Sequence, residues 1–259
     1  MAKERYKWLR LPPGHVELGP KFYREVDEKI DKLESFFYII SGIPRSGKST
    51  LIDMIMDAVK RSAIEILESK ERTPRFEKAS TWSKYISSGV KFGDNPTVHS
   101  YLNELGWYGN TLDIWSDYMD TLRSDYPDKA EALERRRKQL CKPIMFLDDL
   151  GLEATTDSGS DKAAPYIGKT LEAFCGWVKE NQIYRDRYSD KDVEIPKFSI
   201  ITTLITPAGK DEEGFESVSE GLREIYGGRI AGRLLDQFEI KMLPRKDFSE
   251  AKQRCEVMK

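Results

Sequence analysis

The sequence is poor in cysteine and histidine, and these shortages exclude several classes of site. Its 259 residues include three cysteines, Cys141, Cys175 and Cys255, and two histidines, His15 and His99. The cysteines are odd in number and form no C-x-x-C pair, which argues against a disulfide framework and for a reducing compartment. Because no ligand cluster surrounds either histidine, we expect no structural zinc site.

Long apolar runs and an excess of positive charge are also missing. No run approaches the roughly 20 residues that a membrane-spanning helix needs, and the first residues lack the apolar core of a signal peptide. The formal net charge is −2 although 33% of the residues are charged, so the chain lacks the basic character of a nucleic-acid coat. We therefore expect a cytoplasmic protein without membrane contact, in which any DNA contact is local.

The pattern G-x-x-x-x-G-K-S/T is complete between residues 42 and 49. The residues are Gly42, Ile43, Pro44, Arg45, Ser46, Gly47, Lys48 and Ser49, followed by Thr50. An aromatic and β-branched run over 36–40 precedes the pattern, and apolar residues at helical spacing follow it. Strand, loop and helix in this order are what a P-loop requires.

A P-loop predicts a binding site for ATP and Mg²⁺. Backbone N–H groups of the loop hold the phosphates, its lysine reaches the β- and γ-phosphates, and its serine hydroxyl binds the metal ion. We therefore predict that the stretch from Gly42 to Thr50 binds the nucleotide, that Lys48 is catalytic and that Ser49 is a metal ligand.

A second candidate site element reads Pro-Ile-Met-Phe-Leu-Asp-Asp over residues 143–149. An unbroken apolar run is typical of a buried parallel strand, and the carboxyl end of such a strand would lie beside the P-loop. We predict that Asp148 holds Mg²⁺, directly or through water, and that Asp149 orients or deprotonates the attacking water. The alternative is a strand that ends in a solvated turn.

The segments before this strand are predicted mainly as helix. Residues 21–35 predict a helix that leads into the P-loop strand, and residues 75–80 a weak strand. Residues 82–140 predict a mostly helical, polar insertion. Its aromatic residues are interpreted as core and its basic run over 135–138 as a solvated helix face, with base stacking as the alternative for the aromatic residues.

The segments after the strand predict a return to the sheet. Residues 151–165 predict a mobile loop, followed by a helix to about Tyr184. Residues 197–203 predict a buried strand that ends in Thr202 and Thr203, whose hydroxyls could contact the γ-phosphate or the attacking water. A helix or helix pair is predicted over 222–235 and a last strand over 238–243.

These predictions divide the chain into three parts. Residues 1–20 form a basic and aromatic arm, which could hold a nucleic-acid backbone, dock on a partner or be a solvated tail. Residues 21–243 form one ATPase domain that includes the insertion. Residues 244–259 form a short tail.

Four motifs follow one another along the chain. They are the P-loop, Asp-Asp-Leu-Gly over 148–151, the strand ending in threonine and the pattern G-x-R-I/V-x-x-R-L over 227–234. Their order resembles the helicase-loader branch of the AAA+ ATPases, the DnaC and IstB-like group, with DnaA-type initiators as more distant relatives. The resemblance covers about residues 36–243. It implies an α/β P-loop fold, a three-layer sandwich around a parallel sheet in the order 5-1-4-3-2, with a helical insertion and no C-terminal helical lid.

The resemblance also implies roles for particular residues. Arg233 falls where the family places an arginine finger for the ATP of a neighbouring subunit, and Arg229 on the preceding arginine of the same motif. Leu204 stands where the family's sensor strand carries asparagine, so Thr203 or Thr202 must serve, and we predict Thr203 as catalytic. Assembly into rings or open spirals, binding to single-stranded or double-stranded DNA, and a replicative helicase or transposase as partner are implied as well.

The expected function is therefore hydrolysis of ATP to ADP and phosphate by a protein that acts on DNA, as a helicase loader or an initiator-like protein. An origin in a virus or a mobile element is left open. Two alternatives remain from the residues themselves. One is a P-loop nucleotide or nucleoside kinase, and the other, motivated by Leu204, is a binding module that ATP switches with little hydrolysis.

Overall fold

The computed structural model describes residues 19–32, 34–43, 46–49, 51, 52, 55, 56, 59, 106–155, 160–180, 183–186, 191–194, 196–205 and 212–243. The predicted arm before residue 19, the weak strand over 75–80 and the tail over 244–259 lie outside these residues. Within the described ranges, no helix has the length and apolar character needed to cross a membrane.

Strands and helices alternate along much of the described chain. The strands are β1 (Phe36–Ser41), β2 (Gly106–Asn110), β3 (Ile144–Leu150), β4 (Ile183–Asp186), β5 (Lys191–Glu194), β6 (Phe198–Thr203) and β7 (Glu239–Met242). The helices are α1 (Gly19–Lys32), α2 (Thr111–Arg123), α3 (Lys129–Arg137), α4 (Ser160–Glu180), α5 (Glu212–Tyr226) and α6 (Gly228–Gln237). Short 3₁₀ helices cover Lys138–Leu140 and Leu152–Thr155, and a further helix begins at Lys48, after the P-loop.

Five strands form one parallel sheet in the order β2-β3-β6-β1-β7. Counted within this sheet alone the order is 2-3-4-1-5, which is the predicted order 5-1-4-3-2 read from the other edge. The predicted α/β fold with a five-stranded parallel sheet in this order is therefore confirmed. The P-loop strand β1 and the strand β3 flank β6, so the carboxyl ends of these three parallel strands lie side by side at the same end of the sheet.

Side chains of the central strands fill apolar layers on both faces of the sheet. Ile39, Met145, Leu147 and Ile201 belong to one buried cluster with apolar side chains of α4, α5 and α6. Because side chains alternate along a strand, their neighbours face the opposite layer, where Phe22 of α1 meets the Tyr38 ring at 5.3 Å. Full burial of each such side chain contributes about 1.5–3 kcal/mol, which explains why unbroken apolar runs become the central strands.

Several predicted elements agree with the structure. The helix before the P-loop strand is α1. The predicted helix or helix pair over 222–235 is the pair α5 and α6, separated at Gly227, whose φ is +81°, but α5 begins at Glu212, ten residues earlier than predicted. Trp107, Trp115 and Tyr118 pack against the same buried cluster as the sheet. These three aromatic residues are therefore core, as interpreted, but of the sheet and not of a separate helical insertion, while Tyr108 of the same set is 46% exposed.

The prediction that residues 82–140 are mostly helical is wrong at Gly106–Asn110. This segment is the edge strand β2, which pairs in parallel with β3. Its five residues include two glycines and two aromatic residues, too short a segment for a periodic signal. Pairing with the buried strand β3 therefore decides the conformation.

Two further predictions need correction. A 3₁₀ helix covers Leu152–Thr155 and helix α4 begins at Ser160, so both described parts of the predicted 151–165 loop are largely helical, and Pro165 lies inside α4. The same helix ends at Glu180 rather than near Tyr184, because Ile183–Asp186 pairs with Lys191–Glu194 as an antiparallel two-stranded ladder. The aromatic and β-branched residues of these short strands favour this pairing.

Candidate functional site

The P-loop begins where β1 ends, and two of its glycines have separate steric reasons. A Cβ atom at Gly42 would lie 2.7 Å from Ser46 Oγ and 3.1 Å from Leu243 Cβ, so the loop closes too tightly there for a side chain. Gly47 has a φ of +85°, in the left-handed region that favours glycine. Neighbouring side chains therefore exclude a Cβ at Gly42, and the backbone conformation favours glycine at position 47.

The helix after the loop starts at Lys48, with its first bond from the N–H of Leu51 to the carbonyl of Gly47 at 3.0 Å. The unpaired N–H groups of a helix N-terminus favour an anion. The buried hydroxyl of Ser46 has no hydrogen-bond partner among the described residues, so the loop contains a donor that a phosphate oxygen would satisfy. Pro44, Arg45 and Thr50 lie outside the described residues, and their contacts with a nucleotide stay predictions.

Lys48 lies across the P-loop backbone and is largely buried. Its Nζ donates to the carbonyl of Gly42 at 2.7 Å and to that of Ile43 at 3.1 Å. An ammonium has three N–H groups, so a third can reach a phosphate oxygen. Burial lowers the pKa of Lys48, while the charges of Asp149 and then Asp148 act in the opposite direction. The lysine and both carboxylates therefore share one electrostatic environment.

The pairing of β3 with β6 is irregular where the two aspartates lie. Leu147 pairs with Ile201 but Leu150 pairs with Thr203, so β3 contains one extra residue in this interval. Asp149 has a φ of +56°, and it is the non-glycine residue with a positive φ in the described part of the chain. A bulge of this kind redirects side chains at the end of a strand.

Thr202 connects the two aspartates. Its hydroxyl accepts the N–H of Asp149 at 2.8 Å and donates to Asp148 Oδ1 in a short hydrogen bond. The N–H that the bulge removes from the regular ladder is thus satisfied by a side chain. Thr202 is therefore the threonine of β6 that contacts the predicted metal ligand.

Thr203 has a different environment. Its hydroxyl donates to the carbonyl of Leu150 at 2.9 Å and accepts the N–H of Ile205 at 3.1 Å. Its side chain is fully buried. The geometry favours Thr202 over Thr203 as the threonine beside the reacting groups, while the predicted catalytic role of Thr203 stays a prediction.

The carboxylate of Asp149 is partly buried, and its pKa is raised. Burial is the main cause, the charge of Asp148 adds to it, and the charge of Lys48 acts against it. A carboxylate whose proton affinity is raised is a better acceptor for the proton of a water molecule. Asp149 therefore has the environment expected of the base predicted from the sequence.

Asp148 and Ser49, the metal ligands predicted from the sequence, both offer oxygen atoms. Mg²⁺ prefers oxygen ligands and is usually held by one or two protein groups together with substrate phosphates. In the described ranges no group of three or more His, Cys, Asp or Glu side chains could hold a metal ion alone. A site that depends on phosphate oxygens agrees with this donor set.

The two predicted arginines do not join this cluster within one chain. Arg229 donates to Glu172 Oε1 through Nε at 3.0 Å and Nη2 at 2.5 Å, and Arg233 Nη1 lies 2.7 Å from the same oxygen. The side chains of Arg229 and Arg233 are 75% and 43% exposed. Both are therefore presented on α6 at the surface, anchored by one carboxylate of α4.

The predicted basic run over 135–138 is a paired, solvated helix face, as interpreted from the sequence. Arg135 contacts Glu131 at 2.5 Å and Arg136 contacts Asp117 at 3.6 Å. Arg137 and Lys138 both lie within 4 Å of Glu134, at 2.8 Å and 3.5 Å. The carboxylates offset much of the positive charge that a nucleic acid would require.

A buried hydrogen bond joins the segment after the aspartates to the joint between α5 and α6. Glu153 is fully buried and accepts the hydroxyl proton of Tyr226 in a short hydrogen bond, as well as the N–H of Gly151 at 3.2 Å. Burial and the Glu153 carboxylate raise the pKa of Tyr226 well above its ordinary value. The residue that precedes Gly227 is therefore tied to the 3₁₀ helix that follows β3.

Sequence reasoning did not single out Thr111, Glu153 or Glu172. The contacts that give them a role join elements far apart in the chain, and no local pattern marks Glu153 or Glu172. For Thr111 a signal was present, because Asn110 and Asp113 have the spacing of a capping box and predict a helix start between them.

No protein-family model matches the chain, and no curated protein matches it either. Among solved structures, the chain is similar to the crystal structure of the DnaC helicase loader. The TM-score is 0.46 and the sequence identity 11%, over 86% of this chain and 89% of that chain. At this level the likeness concerns the overall arrangement of the chain and does not bear on individual site residues.

Proposed function

We propose that the chain binds ATP with Mg²⁺ and hydrolyses it to ADP and phosphate. The observation that supports this most directly is that Lys48 follows β1 while Asp148 and Asp149 lie near the end of β3, and these two parallel strands flank β6, so the three residues lie at the same end of the sheet. A positive donor for phosphate, a carboxylate for a metal ion and a second carboxylate for water are the groups that this reaction requires.

In the proposed reaction each group has one task. The P-loop N–H groups and Lys48 bind and orient the phosphates, and Lys48 neutralises negative charge on them. Asp148 and Ser49 would hold Mg²⁺, which would supply further neutralisation of the negative charge on the phosphates. Asp149 orients the attacking water or accepts its proton. Thr202 fixes the relative position of the two carboxylates.

The variant Asp149→Asn tests the hydrolytic step. It should lower phosphate release by about 10²-fold or more, because the amide cannot accept the proton, while binding of a fluorescent ATP analogue persists. Lys48→Ala should weaken that binding instead. Asp120→Asn, which changes an exposed carboxylate of α2, is the matched control and should behave as wild type.

The assay also separates the alternatives. Phosphate release should occur without added nucleosides or nucleotides, whereas a kinase would require such an acceptor. A wild-type chain that binds ATP without measurable phosphate release would overturn the hydrolytic proposal and favour a module switched by ATP binding. Equal turnover in wild type and Asp149→Asn would also contradict the role of Asp149.

We further propose that the chain acts in the cytoplasm on DNA, as a helicase loader or initiator-like protein that assembles with copies of itself. This finer proposal is supported by the order of the motifs and by the surface position of Arg229 and Arg233. Sedimentation with a non-hydrolysable ATP analogue, with single-stranded DNA, double-stranded DNA or neither, tests it. Larger assemblies that retain DNA are expected, and a monomer under all conditions would contradict it.

A further inference from the structure

Thr111, the first residue of α2, contacts the backbone of Asp149. Its hydroxyl donates to the carbonyl oxygen of Asp149 at 3.2 Å, and its side chain is fully buried. The two residues lie in different elements, since Thr111 follows the edge strand β2 and Asp149 is near the end of β3. The contact therefore exists only because these strands are paired.

The start of α2 is held in place by strand pairing and by a capping box. Asn110 lies opposite Asp148 in the pairing of β2 with β3. The side chain of Asn110 accepts the N–H of Asp113 at 3.0 Å, and the carboxylate of Asp113 accepts the N–H of Asn110 at 2.8 Å. These reciprocal bonds fix the first turn of the helix. The capping box and the strand pairing thereby hold the Thr111 hydroxyl within reach of the Asp149 carbonyl.

The backbone of Asp149 is in a conformation that needs support. Its φ of +56° is uncommon for any residue other than glycine, and the bulge removes regular ladder pairing around it. Its N–H donates to Thr202 Oγ1 at 2.8 Å, and its carbonyl accepts from Thr111. Two hydroxyls from different elements thus hold the peptide groups on either side of its Cα. The orientation of these two peptide groups decides where the carboxylate points.

We propose that Thr111 is a positioning residue for the hydrolysis of ATP, which holds the left-handed backbone of Asp149 so that its carboxylate faces the P-loop. The inference rests on the function proposed above, because it requires Asp149 to act on the attacking water. Thr111 acts through Asp149 and not on the nucleotide. Its loss should therefore lower kcat and leave KM for ATP unchanged.

The test compares Thr111→Val with Thr121→Val in the full chain. Valine keeps the shape of threonine and removes the hydroxyl. Thr121 is a matched control, since it lies on the same helix, is buried and donates to the carbonyl of Asp117 at 2.7 Å. We expect kcat to fall about tenfold to hundredfold in Thr111→Val and to stay within about twofold of wild type in Thr121→Val.

Thr111→Ser, which keeps the hydroxyl, should have a kcat close to that of wild type. Thr111→Ala, which adds no methyl group in place of the hydroxyl, is the second variant if Thr111→Val does not fold.

A double variant distinguishes positioning from general damage. In the Asp149→Asn background, Thr111→Val should cause no further loss of turnover, because both changes affect the same step. A further loss there, a parallel rise in KM, or equal kcat in Thr111→Val and Thr121→Val would overturn the inference. If Asp149→Asn silences hydrolysis while Thr111→Val does not, the inference alone fails. Full turnover in Asp149→Asn would overturn the proposed function and this inference together.

Discussion

Glu25 illustrates how a single carboxylate holds a helix to the sheet. It accepts the hydroxyl proton of Tyr38 at 2.6 Å, and it lies 3.4 Å from Lys29 Nζ and 3.6 Å from Lys241 Nζ. Burial alone would raise the pKa of Glu25. The hydrogen bond from Tyr38 and the charges of Lys241 and Lys29 outweigh burial, so its pKa lies below the ordinary value of 4.5.

A lowered carboxylate pKa predicts how stability depends on pH. The contribution of Glu25 is present above its ordinary pKa of 4.5 and is lost as pH falls through the lower pKa of the folded chain. Glu25→Gln should therefore be less stable than wild type at neutral pH and should lose less stability on acidification. Urea unfolding at neutral and acidic pH measures both quantities.

Glu28→Gln is the control for this prediction. Glu28 is on the same helix and forms an exposed pair with Lys32 at 3.9 Å, which should contribute little. Its variant should follow the wild-type dependence on pH. An acid-induced loss of stability in Glu25→Gln as large as in wild type would contradict the assigned role of Glu25.

At the scale of secondary-structure elements, the hydrogen bond between Glu153 and Tyr226 holds two segments of the chain together. It connects the 3₁₀ helix after β3 with the end of α5, and α6 follows after the single residue Gly227. Both side chains are buried, so neither can exchange its partner for water. The position of α6, which carries Arg229 and Arg233, therefore depends on a hydrogen bond to the segment that follows the two aspartates.

Removal of the Tyr226 hydroxyl should destabilise the fold. Tyr226→Phe leaves the buried carboxylate of Glu153 with one donor fewer, and an unsatisfied buried group of this kind costs about 1–3 kcal/mol. The free energy of unfolding from denaturant titration gives the size of the effect. Tyr126→Phe, at a residue that is 50% exposed, should change it by less than about 0.5 kcal/mol. Equal values for the two variants would show that the buried hydrogen bond contributes nothing.

At the scale of the whole molecule, the arginines of α6 are held by α4 and not by the P-loop. Within the described residues, Arg229 and Arg233 contact Glu172 and not Lys48, Asp148 or Asp149. An arginine that stabilises charge on a γ-phosphate must approach it closely. We propose that a second copy of the chain supplies that arginine.

A mixing experiment tests this arrangement. Arg233→Ala and Lys48→Ala should each have low ATPase activity, with Arg233→Ala reduced by about 10³-fold or more if it removes an arginine finger. In mixed assemblies the intact P-loop of one variant meets the intact Arg233 of the other, so activity should reappear. A mixture no more active than the sum of its parts, or wild-type turnover that does not depend on protein concentration, would contradict assembly in trans.

Elements that depend on local sequence were predicted well. The P-loop and the apolar strands β1, β3 and β6 all follow from residue patterns within a short window, whereas the patterns around Gly227 left open whether one helix or a helix pair forms. Burial of an apolar run and the backbone freedom of glycine act over a few residues. Such features can therefore be inferred before any contact is known, whereas the strand order was implied by the resemblance in the order of the motifs.

Elements that depend on pairing across the chain were not predictable in this way. The edge strand β2 has no periodic signal of its own and is a strand because it lies beside β3. The start of α4 before Pro165 and the pairing of β4 with β5 also differ from the local interpretation. In each case the backbone N–H and C=O groups of the segment form hydrogen bonds whose partners cannot be identified from the sequence of that segment alone.

The sequence by itself determined which groups are available for the chemistry, namely the P-loop with Lys48 and the adjacent carboxylates Asp148 and Asp149. Only the tertiary structure decided how they are oriented. The bulge in β3, the choice of Thr202 over Thr203 as the neighbour of Asp148, and the bond from Thr111 to Asp149 all arise where separate strands and helices meet. Residue types are encoded locally, but the direction of a side chain depends on backbone contacts between distant parts of the chain.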